Sequence, residues 1–320
     1  MMFTNPPSKA NSEDALVLNG EPIVISAVVD VARGRQVSVA PACIERLKQA
    51  RGAMLLTLEN GKPVYGITTG VGALRGIKVD PAEAAHFNRL LILSHRVSHG
   101  DTVPRAVVRA TMLCRAQGLS MGGAGVRPAV IEALTGALNA DEIPTVHAIG
   151  SVGQADLVPL AEIAEALIAR GLVLQAREAL ALIGANSFSI GWAALALDRA
   201  DRSNRALEAA AALTMEGILY NPDAIDPAVY KAHPSTGLKQ SVLRLRELLA
   251  GGAILSGEQP PRLLQDPLSL RVVPQTHGTV RDAWRQAVEA IETELASASD
   301  NPLLTPDGRL LSVGNFDASG

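Results

Sequence analysis

From residue 155 to residue 297, apolar side chains recur at three- and four-residue spacing through one stretch after another, a periodicity that only helices can bury. It predicts helices over 155–170, 174–183, 188–218, 237–250 and 279–297. Further starts are marked by proline after a helix-opening position, at Asp80-Pro81, Pro104 and Arg127-Pro128, and Gly100, Gly118 and Gly171 stand where such helices would stop. Ala-rich helices of this kind suit close packing in a bundle. Two short β features complete the pattern. Residues 16–28 carry Asn19-Gly20, suited to a hairpin turn, and Pro306-Asp307-Gly308 separates two short apolar runs near the end. The fold class is mostly α, a bundle of long helices with a small N-terminal α/β part.

Composition narrows the partners. Of 320 residues 48% are hydrophobic, enough for a sizeable core, while 29 basic and 32 acidic residues leave a net charge of only −3. No basic footprint for nucleic acid or an anionic membrane is visible, so small-molecule chemistry is expected. Cys43 and Cys114 are far apart and lack metal-ligand spacing, which fits a reducing compartment, and the cytoplasm is the expected location. The N-terminal residues have Pro, Asn and acidic side chains where a secretory signal needs an apolar core. The apolar helices are interrupted by charge too often to suggest a membrane span.

Several segments carry candidate chemistry. "YGITTGVG", residues 65–72, reads as a phosphate loop without the closing Gly-Lys-Ser/Thr or as a tight surface turn. His95 and His99 stand four apart, as two ligands on one helical face would, but no third ligand accompanies them and no metal is expected. In "AIGSVGQADLVPL", residues 148–160, Asp156 precedes a helix with Pro159 in its first turn. It serves either as a plain cap or as part of an anion-stabilising helix end with the amides of Gly150 to Gly153. Farther on, Gln265, Arg271, Gln275 and His277 cluster in sequence, with Arg271 able to grip a carboxylate in two-pronged fashion or to sit in a surface salt bridge.

Taken in order, these segments resemble the histidine and phenylalanine ammonia-lyase superfamily over essentially the whole chain. "YGITTGVG" is similar to that family's Tyr-Gly-x-Asn-Thr-Gly-Phe-Gly loop, "LLILSHRV" to its Leu-Leu-x-Ser-His helix, and "GSVGQADLVPLAEIA" to its Gly-Ser-Val-Gly-Ala-Ser-Gly-Asp-Leu-x-Pro-Leu segment; "REALALIGAN", "QDPLSLRVVPQ", "SASDNPLL" and "SVGNF" follow in the family's order. The resemblance implies an ammonia-lyase-type helical bundle, normally a homotetramer with sites built from several subunits, that eliminates an amine from an aromatic amino acid to give an arylacrylate. It implies a lyase part over residues 1–220, carrying the Tyr loop and the cofactor loop, and the start of the central helical bundle over 221–320. Carried over by position, Tyr65 is the base for the β proton, His95 lines the side-chain pocket, Arg271 holds the carboxylate, and Gln265 and Phe316 form pocket wall.

The departures concern the electrophile. Family members cyclise an Ala-Ser-Gly tripeptide into a methylidene-imidazolone, the Gly nitrogen attacking the Ala carbonyl and the Ser losing water. Here the loop is one residue shorter and runs Gly153-Gln154-Ala155-Asp156, without the Ser or the Gly. Gly150-Ser151-Val152 is a poor substitute because a β-branched residue hinders the attacking nitrogen. Ala318-Ser319-Gly320 spells the tripeptide but lacks the family's flanks. The family's Asn is Gly184, with Asn186 a shifted stand-in, and a second Tyr is Leu268. The expectation is therefore a chain that makes no such cofactor.

A general base alone supplies only about two to four orders of magnitude, so something else must help the amine depart. A trimethylammonium leaves as neutral trimethylamine, as in the ergothionase branch that this loop resembles. The leading expectation is a cofactor-independent lyase for a histidine betaine such as ergothioneine or hercynine. Alternatives are a conventional histidine or aromatic amino acid ammonia-lyase and a non-catalytic protein on the lyase scaffold. The sequence stops four residues after Phe316, where the family continues with long helices, which predicts a second chain supplying them, another assembly, or a truncated product.

Overall fold

The computed structural model describes residues 15–59, 61, 63–151 and 155–314. In chain order the elements are β1 (Leu16–Leu18), α1 (Ile25–Ala32), β2 (Val37–Val39), α2 (Pro41–Glu59), α3 (Ala84–His95), β3 (His99–Thr102), α4 (Arg105–Ser120), α5 (Pro128–Asn139), β4 (His147–Ile149), α6 (Leu157–Ala169), α7 (Glu178–Ile183) and α8 (Ser187–Gly217). They continue with α9 (Pro227–Ala232), α10 (Thr236–Leu248), α11 (Ala253–Ser256), α12 (Leu268–Arg271), α13 (Val273–Leu295), β5 (Leu303–Leu304) and β6 (Leu310–Leu311). The class is mostly α with a small β-containing N-terminal part. The helical periodicity locates α6, α8 and α10 to within two residues at each end, while α13 begins at Val273, well before the expected start at 279.

The chain divides into two compact units, one drawing on residues up to Leu195 and from Ala290 onward, the other spanning Ala196–Glu289. In the first, α4 is the central element. Almost every residue from Val107 onward is buried, and α1 and α5 pack against it. Two of its buried residues are arginines, tolerable only because each is paired. Arg109 donates to the carbonyls of Val31 and Leu138 and to Asp141 at 2.9 Å, and Arg115 donates to Asp300 at 2.7 Å. Arg177, just before α7, also lies inside this unit, and burial pulls its pKa down to about 10. Helices α3, α6 and α7 pack on one another beside this core.

The second unit has its own core of Met215, Tyr220, Ile225, Leu238, Val242, Leu245 and Ile254. Helices α10 and α13 meet there backbone to backbone, since a Cβ at Gly237 would collide with the carbonyl of Gly278. Ser235 caps α10 by accepting the Leu238 amide at 3.1 Å and donates its hydroxyl to Asp282 of α13 at 2.8 Å.

Local expectations fail in instructive places. No hairpin forms across Asn19-Gly20; β1 pairs in parallel with β2, Leu16 opposite Val37 and Leu18 opposite Val39, and the expected second arm is α1. Residues Val28, Val29, Val31 and Ala32 are buried at helical spacing, and that burial outweighs the turn signal. The turn at Pro306-Asp307-Gly308 does close a hairpin, with Leu303 opposite Leu311. Helix α3 ends at His95, short of Gly100, because residues 99–102 pair with β4. One stretch, Glu178–Gly217, is apolar and long enough to cross a membrane, and 67% of its most apolar window is buried within the protein.

Candidate active site

Tyr65 sits at the mouth of a folded-back loop. The loop closes on itself through Gly70 N–H to Ile77 O and Val79 N–H to Thr68 O, both 2.9 Å. The Tyr65 hydroxyl accepts the Gly72 amide at 3.0 Å, and the half-buried ring packs against the first unit's core. Gly66 follows at φ +65, where a Cβ would strike Leu180 of α7. The glycines thus serve a tight turn that lays Tyr65 beside α7.

His95 ends α3. Its Nδ1 lies 2.8 Å from the Leu91 carbonyl, an atom that can only accept, so Nδ1 carries the proton and neutral His95 keeps Nε2 as its acceptor. His99 stands outside the helix as the first residue of β3, opposite Ile149, so the two rings do not share a helical face. Among the described residues no group of three or more His, Cys, Asp or Glu side chains could hold a metal ion. The β3–β4 ladder also brings the chain after His95 beside the loop at 150, where Ser98 lies against Gly150.

Asp156 is almost fully buried and caps a different helix from the one expected. Its carboxylate leaves α6 uncapped and instead accepts the Ser189 amide at 2.8 Å, the Ser189 hydroxyl at 2.9 Å and the Ser151 hydroxyl at 2.7 Å. It therefore satisfies the first turn of α8. The reason is proximity: Asp156 N–H donates to Ala185 O at 2.8 Å, which brings the residue to the link between α7 and α8. Ala155 lies in the left-handed region at φ +62. Gly153 and Gln154 lie outside the described residues.

Helix α7 is thus the hub around which the first unit's candidate residues gather. Leu180 meets Gly66 next to Tyr65, the Ala179 amide donates to Asn88 of α3 at 2.9 Å, and Ala185 holds Asp156. Asn186 is buried one residue before α8, its Oδ1 without a partner among the described residues, lining a cavity of about 20 Å³ with Cys114, Arg115 and Glu294. Burial pushes the neighbouring Cys114 thiol up to about 12, so it stays protonated.

Gln265 and Arg271 belong to the second unit. Gln265 is exposed in the segment before α12, and Arg271 is the last residue of that helix. The Arg271 guanidinium has no hydrogen-bond or ion-pair partner among the described residues, and its Nε is buried and unsatisfied. That is not a surface salt bridge. Asp266 is buried nearby with one oxygen on the Asn221 amide at 2.7 Å and the other unpartnered. The Tyr220 phenol is pushed up to about 12, chiefly by burial and further by Asp266, with Arg271 opposing. Phe316 lies outside the described residues.

Sequence reasoning passed over one pair beside the loop. His147 donates both its backbone N–H (2.8 Å) and Nδ1 (2.7 Å) to Glu162, tying the start of β4 to α6. Fifteen residues separate the partners, and no local pattern marks them.

With this geometry in view, comparison with known proteins is informative. Residues 23–320 match the model of the family described as aromatic amino acid lyase. A histidine ammonia-lyase of Deinococcus radiodurans is 37% identical over 314 residues, covering 89% of this chain and 59% of that protein. The ergothionase of Treponema denticola, solved with desmethyl-ergothioneine sulfonic acid, superposes with a TM-score of 0.87 at 26% identity, covering 95% of this chain and 66% of the other. A tyrosine aminomutase of Streptomyces globisporus gives 0.86 at 28% identity, with 94% and 65% covered. The chain spans about three-fifths to two-thirds of the length of these relatives.

Proposed function

The chain belongs to the aromatic amino acid lyase family, and from that premise we propose that it acts in a carbon–nitrogen lyase that eliminates an amine from a histidine-like amino acid. Arg271 carries the reading. A guanidinium with a buried, unsatisfied N–H and no protein carboxylate is a receiver for the substrate's carboxylate. In this reading Tyr65 removes the β proton, the C–N bond breaks with its electron pair on nitrogen, and an arylacrylate remains. The Gly72 amide on the Tyr65 hydroxyl fixes where the base's oxygen sits. His95 Nε2 takes a hydrogen bond from the substrate ring. Gln265, Asn186 and Phe316 are proposed as further substrate-side residues.

Two leaving groups divide the support. The relatives at 34–37% identity are named histidine ammonia-lyases and favour histidine and ammonia. One observation favours a trimethylammonium betaine: the cofactor loop does not suit a methylidene-imidazolone. Ala155 has no hydroxyl to lose, the Asp156 nitrogen is already bonded to Ala185 O, and the Ser151 hydroxyl is held by Asp156. A quaternary amine leaves neutral and requires no covalent electrophile, whereas ammonia is a poor leaving group. Exposed apolar side chains on Leu207, Leu213 and Val280 support homo-oligomerisation, a tetramer or an assembly with further helices.

The test is incubation of the full chain, and of Tyr65→Phe, with histidine, phenylalanine, tyrosine, hercynine and ergothioneine, following arylacrylate absorbance and assaying ammonia and trimethylamine. Tyr65-dependent trimethylamine release establishes the betaine reading, and ammonia release from histidine establishes the conventional one. No product from any substrate contradicts both.

A further inference from the structure

We infer that Asn221 is a positioning residue for Gln265; the inference rests on the proposed substrate-side role of that side chain. Of residues 256–269 only Asp266 is buried, and Leu264, next to Gln265, is 91% exposed. Apolar burial therefore does not hold this segment, and its position depends on hydrogen bonds.

Those bonds converge on three residues just after α8. Arg262 N–H donates to Leu219 O at 2.9 Å, the Tyr220 hydroxyl donates to Leu270 O at 3.5 Å, and Asn221 makes the two central contacts. Its Nδ2 donates to Leu264 O at 2.9 Å and its backbone N–H to the Asp266 carboxylate at 2.7 Å. One residue thus grips the chain immediately before and immediately after Gln265. The bond from Tyr220 reaches the residue preceding Arg271.

The grip is stiff because its base is over-determined. Helix α8 closes with Tyr220 N–H on Met215 O and Leu219 N–H on Glu216 O, the pairing of a Schellman turn. Its left-handed position is Leu219 at φ +52, where glycine is usual, so strain is stored at this joint. Tyr220 anchors the turn by full burial, and the Asn221 Oδ1 accepts the Asp223 amide at 3.0 Å, with Pro222 fixing the next residue. The side-chain amide is needed because it accepts with oxygen and donates with nitrogen at once.

Asn221→Ser keeps an acceptor for Asp223 and loses the donor to Leu264; Asn221→Asp does the same and adds a carboxylate beside Asp266. On the full chain, amide exchange over 262–266 is expected to speed about tenfold in both variants. With histidine or hercynine as substrate, KM is expected to rise about three- to tenfold, the factor for one neutral hydrogen bond, with kcat within about twofold. In a Gln265→Ala background the KM effect of Asn221→Ser should vanish, as expected of a residue acting through Gln265. Unchanged exchange, or the same KM effect without Gln265, overturns the inference. If the wild type turns over neither substrate, the reading of the site fails and exchange alone decides: faster exchange upholds the tether and unchanged exchange refutes it.

Discussion

Asp156 in the first unit and Arg271 in the second are both charged groups with buried atoms, and their surroundings are opposite. Asp156 accepts three hydrogen bonds from Ser151 and Ser189. The Arg271 guanidinium makes none among the described residues. A buried polar group whose partners are all supplied by the protein contributes to holding the fold, while one without a partner calls for an explanation, which for Arg271 is the proposed substrate carboxylate. Asp156 thus ties its loop to the start of α8, while the Arg271 guanidinium is open to the carboxylate proposed for it.

The comparison breaks most visibly at Asp156. Asp156→Ala strips the acceptor from the Ser189 amide and hydroxyl in the first turn of α8 and from the Ser151 hydroxyl, and about 3–5 kcal/mol of stability should be lost in urea unfolding. Arg271→Gln should do the reverse, leaving the urea midpoint almost unchanged while kcat/KM falls about 100-fold, equivalent to about 2.7 kcal/mol. A midpoint that moves as far as that of Asp156→Ala would mean Arg271 is a structural group.

These assignments could be read from the sequence only in part. Tyr65, His95 and Arg271 stand in ordered blocks, and the long helices announce themselves through apolar spacing, because both signals are local. The partners of Asp156 were invisible for the opposite reason. Ser189 is 33 residues away, and Asp156 prefers the first turn of α8 to its own helix only because Ala185 holds its backbone. The Asn19-Gly20 hairpin misled because a two-residue turn signal says nothing about whether the following residues are wanted as helix, and burial of Val28 and Val31 decided that. The Asn221 grip was hidden likewise, since its bonds span more than forty residues.

Smaller effects sharpen the comparison within the second unit, where Ser235 and Asp282 form a satisfied pair. Ser235→Ala removes the α10 cap and should cost about 1 kcal/mol, measured by the same unfolding curve. The Ser235 hydroxyl first, then Arg285 and the Gly237 amide, hold the Asp282 carboxyl below its ordinary 3.8. A lowered carboxyl contributes stability that is complete above its unfolded value and is lost as pH falls through the folded one. Stability measured below about pH 4 should therefore decline less steeply in Asp282→Asn than in the wild type. Identical acid limbs would contradict this. Cys114, with its thiol pushed up to about 12, should resist a thiol reagent at pH 8 until the chain is unfolded.

The most direct test of the central claim is the initial rate of arylacrylate formation from histidine and from hercynine by the full chain, run beside Arg271→Gln at matched folded concentration. The account predicts product from one of the two substrates, with the rate at low substrate about 100-fold lower in the variant. Equal rates in the two proteins, or no product from either substrate, would contradict it.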